Sequence, residues 1–260
     1  MIKQGTDVLK EHKSNRLTFD AKLKQINFLN SRMYKRAENK YYPSVTTILQ
    51  YMPKNKYFQT WLKDVGHNSD IIMRKAGKEG TQVHEASEKL VLGETVEWLD
   101  QYGKAKYSEL VWNMILKFAD FWKETKPELI STEDFVYSDE HLYAGTADLV
   151  VKIKGETWLL DIKTSNNLHK SYELQLAAYA KAIEEQKGIK IDRTGIIWLK
   201  ASTRKSSTKE GVMQGKGWQV KVVDNIDENF RLFKLIYELY SLENKDVIPK
   251  YKTYPTSIKL

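Results

Sequence analysis

Two carboxylates and a lysine at close spacing are where this sequence offers chemistry. The stretch Gly145-Thr146-Ala147-Asp148-Leu149-Val150-Val151 is followed by a Lys154-Gly155 pair and then by Trp158-Leu159-Leu160-Asp161-Ile162-Lys163-Thr164. Both halves alternate as strands do, and the Lys-Gly pair reads as a two-residue hairpin turn. Such a turn pairs Ile153 with Glu156, and counting outwards sets Asp148 directly opposite Asp161. Opposed side chains share one face, with Cβ atoms roughly 4.5–5.5 Å apart. Lys163, two residues past Asp161, projects onto that face too. A turn with an odd residue count would shift the register and lose the alignment.

Two like charges opposed in a sheet are destabilising unless something offsets them. A divalent cation is the simplest offset, and hard oxygen ligands without thiolates favour Mg²⁺ or Mn²⁺. A neighbouring ammonium would then hold an attacking water or stabilise charge building on a phosphate. The plainer alternative is an exposed sheet face carrying a simple Asp–Lys pair. Against it, Asp161 and Lys163 interrupt Trp-Leu-Leu-Asp-Ile-Lys, whose other members have the character of buried residues.

The rest of the chain must position this pair. The first 25 or so residues are polar, lack periodicity and read as a loose lead-in. Residues 26–42 suggest a hairpin: Ile26 to Tyr34, a polar Arg36-Ala37-Glu38-Asn39 turn, then Tyr41-Tyr42. Pro43-Ser44 reads as a helix start, with Ser44 as N-cap and Val45, Ile48 and Leu49 as the apolar face. A further helix is expected over about 55–75, ending near Gly77, and another from Gly80-Thr81 to Leu92-Gly93. Residues 104–125 carry the longest helical pattern. The period then changes to that of strands over about 130–138, 142–153 and 156–164. A helix over 170–187 closes at Gly188, strands over 194–200 and 218–223 flank a polar loop at 201–217, and a last helix covers 226–242. This order predicts an α/β (α+β) fold with a mixed central sheet of about four to five strands flanked by helices. It divides into a lead-in and hairpin (1–42), a helical part (43–128), the sheet-bearing core (129–245) and a tail (246–260).

Composition narrows the function. The 260 residues can fill one large domain, and 41% hydrophobic with 29% charged residues is ordinary for a globular protein. No run approaches the ~18 apolar residues of a membrane span, and the start lacks a secretory apolar stretch, so a soluble cytoplasmic protein is expected. Zero cysteines exclude disulfides, thiolate zinc sites, iron–sulfur clusters and thiol catalysis. Forty-two Lys and Arg against 34 Asp and Glu give +8 at pH 7, which favours a polyanionic partner such as DNA, although solubility alone also explains such a charge.

Asp148 with Asp161-Ile162-Lys163 resembles the signature of the PD-(D/E)XK nuclease superfamily. Gln175-Leu176-Ala177-Ala178-Tyr179 resembles the Gln-x-x-x-Tyr motif of its RecB-like branch, and Gly80-Thr81-Gln82-Val83-His84 the Gly-Thr-x-x-His segment of that branch. Tyr42-Pro43-Ser44-Val45-Thr46-Thr47-Ile48-Leu49 is similar to the N-terminal segment of mitochondrial genome maintenance exonucleases and their phage relatives. The four motifs span about 41–180 in consistent order. Two departures stand out: Ala147 occupies the position of the eponymous proline, and the absent cysteines separate the chain from iron–sulfur members of the branch.

The resemblance implies a restriction-endonuclease-like core with an N-terminal helical insertion. It implies a metal-dependent DNA exonuclease for single-stranded or end-frayed DNA, using a metal-activated water and one or two Mg²⁺ or Mn²⁺ ions. It places the metal on Asp148, Asp161 and the backbone carbonyl of Ile162, with His84 as a further ligand and Lys163 as the catalytic lysine. A lone helical histidine is otherwise a surface or satisfied core residue. Glu88, one turn beyond His84, and Glu133, on the preceding strand, are auxiliary candidates, each with a solvated glutamate as its alternative. Gln175 and Tyr179 share a helix face and are expected to orient the site or contact substrate, against ordinary packing. Lys200, Arg204 and Lys205, with Lys209 and Lys216, make a DNA-contacting loop or merely a solvated basic one. Trp61, Trp112 and Trp122 suit base stacking but read better as core. Replication or recombination proteins are implied partners, in a phage or bacterial setting. The rivals are a structure-specific or restriction-type endonuclease, a non-catalytic DNA-binding relative, and a structural or adaptor protein.

Overall fold

The computed structural model describes residues 17–20, 25–28, 31–37, 40–54, 56–200, 207–209, 212–215 and 217–245. Most of the expected lead-in, together with Arg204, Lys205, Lys216 and the tail, lies outside them. Four strands come first: β1 (Leu17–Asp20), β2 (Gln25–Phe28), β3 (Ser31–Ala37) and β4 (Lys40–Pro43), an antiparallel sheet in sequence order. The expected hairpin is its β3–β4 part. What read as one strand from Ile26 to Tyr34 is two, because the chain reverses after Phe28 so that Ile26 pairs with Met33. β1 extends the sheet into the expected lead-in.

Ser44 then caps α1 (Val45–Ile48) as expected, accepting a hydrogen bond from the Thr47 amide at 3.0 Å. α2 (Lys56–Val65) ends at Gly66, whose φ of +57° suits a residue without Cβ. After one 3₁₀ turn, α3 (Ser69–Val91) runs unbroken for 23 residues through Gly77 and Gly80. The expected break between those glycines is absent. A glycine at helical φ weakens a helix by about 1 kcal/mol and does not end it; the left-handed turn at Gly66 does. α4 (Glu109–Thr125) starts five residues later than its apolar pattern because Ser108 caps it, so α3 is the longer helix.

The second sheet has seven strands: β5 (Glu128–Ser138), β6 (Tyr143–Ile153), β7 (Glu156–Lys163), β8 (Arg193–Trp198), β9 (Ser207–Lys209), β10 (Val212–Gly215) and β11 (Trp218–Val223). Their order is β5-β6-β7-β8-β11-β10-β9. Only the β7–β8 pair is parallel, and α5 (Lys170–Lys187) makes the crossover between them. The five strands β5–β8 and β11 form the expected mixed sheet; β10 and β9 extend it from within the segment read as a loop.

Helices cover both faces. Val45 and Ile48 of α1 and Leu49 in the 3₁₀ turn after it join α5 and α6 (Ile226–Glu243) over Val150, Leu159 and Ile196. Val83 and Ala86 of α3 and Val111 to Phe121 of α4 pack over Leu149, Leu160, Ile197 and Val220 on the other face. The 43–128 segment therefore supplies packing to both sides of the sheet.

Candidate active site

Lys154 and Gly155 both take left-handed φ, +51° and +87°, the geometry of the two-residue turn expected there. The pairing runs from Ile153↔Glu156 to Leu149↔Leu160, so the next position in register sets Asp148 across from Asp161. On the other side, Thr132↔Leu149 and Asp134↔Ala147 bring Glu133 opposite Asp148. Three acidic residues from three adjacent strands thus stand in one row.

The sheet opens at this row. The Ile162 amide donates to Asp148 Oδ2 at 2.7 Å, and Thr132 Oγ1 donates to the Asp148 carbonyl at 3.0 Å, so side chains take over from the ladder. Tyr143 and Ala147 pack under α5, whereas Leu149, Val151 and Ile153, of the same parity, pack under α3 and α4. Alternation would keep all five on one face; the strand changes sides at Asp148. Glu133 itself has φ +46°, a conformation that costs a non-glycine residue roughly 1 kcal/mol or more and persists where surroundings enforce it.

α3 brings the imidazole. A Cβ on Gly80 would stand 3.2 Å from Thr164 Oγ1 at the end of β7, so glycine is what lets the helix pass this close. One turn later, His84 Nδ1 lies 3.4 Å from Asp148 Oδ2 and 3.8 Å from Glu133 Oε1. Ligand atoms of His84, Glu133 and Asp148 all fall within 4.8 Å of one another, the spacing a single cation needs. Glu133, read from sequence as better suited to a solvated strand position, belongs to this group; Glu88 does not. Asp161 is not part of the triad either; its carboxylate is engaged by Lys163 and Gln175, close enough to feel the Asp148 and His84 charges.

Behind the row, α5 supports Asp161 and Lys163. Lys163 Nζ sits 2.7 Å from Asp161 Oδ2 and donates to Gln175 Oε1 at 3.3 Å. Gln175 Nε2 donates to Asp161 Oδ1 at 3.2 Å and to Tyr179 OH at 3.4 Å. Gln175 and Tyr179 are buried, which sets them beneath the charged groups as a brace. A Cβ on Gly145 would overlap the Tyr179 ring, so that glycine makes room for the brace. Tyr172, which the sequence reading missed, holds its ring 4.5 Å from Lys163 Nζ. Its spacing of three before Gln175 and seven before Tyr179 was the available signal, since all three share one face of α5.

The electrostatics follow from burial. Desolvation pushes the Asp161 carboxyl up to about 6, with Lys163 opposing and Asp148 reinforcing the shift. Desolvation acts the same way on Asp148, but the His84 and Lys163 charges outweigh it and hold that carboxyl below its ordinary value. Burial opposes the His84 imidazolium, yet Asp148 and Glu133 raise it to about 10. Burial likewise opposes the Lys163 ammonium, and Asp161 with Asp148 holds it above the usual lysine value. Burial is thus the main force lifting Asp161, with the neighbouring Asp148 charge a smaller one. One imidazole and hard carboxylate oxygens at this spacing fit a divalent cation such as Mg²⁺ or Mn²⁺.

Other expected residues scatter. Lys200, just past β8, donates to Asn166 Oδ1 at 3.3 Å. Ile162 contributes its amide to Asp148. Trp112 stacks between Trp98 and Tyr107, Trp122 on Phe118, and Trp61 on Phe58. Among the described residues no helix is long and apolar enough to cross a membrane.

No curated protein matches the chain. Among solved structures, the chain is similar to a protein from Eubacterium rectale described as a candidate exonuclease, at 13% identity and a TM-score of 0.40, over 70% of this chain and 77% of that one. A likeness that low carries no argument about activity. The sequence model of the PD-(D/E)XK nuclease superfamily, by contrast, matches residues 59–251, from α2 through the whole second sheet and α6. With the acidic row, Lys163 and the histidine-bearing helix all inside that match, the chain belongs to the PD-(D/E)XK nuclease superfamily.

Proposed function

We propose that this nuclease is a metal-dependent deoxyribonuclease that removes nucleotides from single-stranded or end-frayed DNA. The observation that carries the reading is the acidic row Glu133–Asp148–Asp161, with His84 over one end and Lys163 beside the other. His84, Glu133 and Asp148 would hold a Mg²⁺ or Mn²⁺ ion, with Asp161 and the Ile162 carbonyl as candidates for completing its shell or holding a second ion. A cation held there supplies Lewis-acid activation of water and neutralises charge on the scissile phosphate.

The chain's own residues do the rest. Lys163 presents an ammonium that Asp161 and Asp148 keep charged against the cost of burial, suited to an attacking water or a non-bridging phosphate oxygen. Asp161 and Gln175 fix that ammonium from two sides, and Tyr179 fixes Gln175, so the donor is preorganised. Lys200, with Arg204 and Lys205 outside the described residues, is a candidate for backbone phosphate contacts. The arrangement of His84 on a Gly-Thr-x-x-His helix with Gln175 and Tyr179 supports placement in the RecB-like branch, and exonuclease action rests on that placement.

A cleavage assay tests the proposal. Wild type and Lys163→Ala are given linear single-stranded, linear duplex and closed circular DNA with Mg²⁺, Mn²⁺ or EDTA. Metal-dependent loss of linear DNA, intact circles and an inactive variant are expected. Cut circles would make the protein an endonuclease. Absence of cleavage by folded wild type would remove the catalytic reading and leave a DNA-binding relative.

A further inference from the structure

Beside the catalytic lysine lies a cavity of about 420 Å³ that the mechanism above does not use. Its walls include Met52, Lys54 and Phe58 from the α1–α2 region, and Leu168, His169 and Tyr172 around the start of α5. Tyr172 is the link to chemistry. It lines the cavity, and the same side chain holds its ring 4.5 Å from Lys163 Nζ. His169 packs edge-on to Tyr172 at 5.4 Å, and Phe58 stacks on Trp61 at 5.7 Å, so each aromatic wall has an aromatic neighbour.

We infer that this cavity is a subsite for one unpaired nucleobase of the substrate strand, next to the scissile phosphate, with Phe58 and Tyr172 as its stacking walls. The inference rests on the nuclease reading above. The volume falls in the range of pockets that take small organic ligands, and flat aromatic walls in a mixed polar and apolar lining suit a base. A cationic group at the rim suits a neighbouring phosphate: Lys54 is exposed, and the exposed His169 at the head of α5 offers a further hydrogen-bonding group. Lys170 contributes less, because its ammonium is held by Glu173 at 2.6 Å and Asn229 at 2.8 Å. A paired base has its edge and both faces occupied and cannot stack between two aromatic walls, so the subsite favours single-stranded or frayed DNA.

Phe58 is the residue to test. It lies on α2, which has no buried residue, and it supplies no ligand or charged group to the site. Binding is measured in EDTA with an oligonucleotide carrying 2-aminopurine at its end, whose fluorescence falls on stacking. Wild type is expected to quench the probe, and Phe58→Ala to lose the quench and bind about 5- to 100-fold more weakly, the range of one base–aromatic stack. Phe58→Trp is expected to restore both. The thermal midpoint is expected to be nearly equal in all three, since Phe58 lies on a helix with no buried residue, which separates lost stacking from lost folding. Equal quenching and equal affinity for wild type and Phe58→Ala would overturn the subsite, whatever the protein cleaves. Conversely, a quench that depends on Phe58 in a protein that cleaves no DNA with any metal would sustain the subsite and remove the nuclease reading.

Discussion

The two regions that meet at the candidate site are built in opposite ways. In the β6–β7 hairpin, Leu149, Val150, Val151, Leu159 and Leu160 are each 1% exposed or less. In the helical arm, α2 buries nothing, and Ile71, Ile72 and Met73 at the start of α3 are 60%, 45% and 42% exposed. The hairpin fixes Asp148, Asp161 and Lys163 by register and packing on both faces. The arm holds Phe58 at the cavity with far fewer buried neighbours, and only the second half of α3, from Val83 on, is locked into the core. Close-packed interiors resist displacement and sparsely buried helices do not. The lesson is a division of labour: groups that need sub-ångström placement sit on the hairpin, and groups that need only to meet a flexible strand sit on the arm.

Substitutions on the two sides should differ accordingly. Lys163→Ala is expected to give the largest effect, a loss of about 10²–10⁴-fold in kcat with the fold intact, read by single-turnover cleavage. A loss confined to KM would move Lys163 from chemistry to binding and blur the contrast.

The pH dependence of metal binding comes next. His84 is raised from 6.5 to about 10, so in the metal-free protein its nitrogen keeps a proton across the neutral range. That proton must leave before the nitrogen can ligate, so apparent affinity should rise with pH, about tenfold per unit between pH 7 and 9. Below about 6, where Asp161 is also protonated, the slope should steepen. Titration calorimetry of Mn²⁺ at several pH values reads this directly, and a flat profile would detach His84 from the metal.

Gly145→Val should disturb the hairpin side through the brace, since any Cβ there meets the Tyr179 ring. Overpacking of this kind destabilises by about 1–3 kcal/mol, visible as a Tm several degrees lower. An unchanged Tm would mean that Tyr179 yields readily and that the brace is less rigid than its burial implies. Ile72→Ser, on the exposed arm, should change stability by less than about 0.5 kcal/mol in urea titration. A larger loss would show that the arm is more tightly packed than its exposure indicates.

Much of the hairpin was legible in the sequence because its determinants are local. Gly155 takes left-handed φ without cost and closes a two-residue turn that holds Lys154 there as well; the turn sets the register, and the register sets Asp148 against Asp161. Ser44 and Gly188 announced their helix ends by the same kind of local chemistry. Gly77 and Gly80 misled, because a glycine's effect depends on φ and neighbours that one-dimensional spacing does not carry. Gly80 answers to Thr164, a residue far along the chain.

The sequence by itself thus determined the β6–β7 geometry, the acid–acid–lysine set and the order of α4, β5 to β8, β11 and α6 around α5, since each follows from backbone preferences within a few residues. Only the tertiary structure decided that Glu133 joins His84 and Asp148, that Asp161 instead faces Lys163 and Gln175, and that Tyr172 separates the lysine from a cavity. Those choices depend on the side switch at Asp148, the left-handed Glu133 and the approach of α3 to the end of β7. They are enforced by packing between segments distant in sequence, which no local pattern encodes.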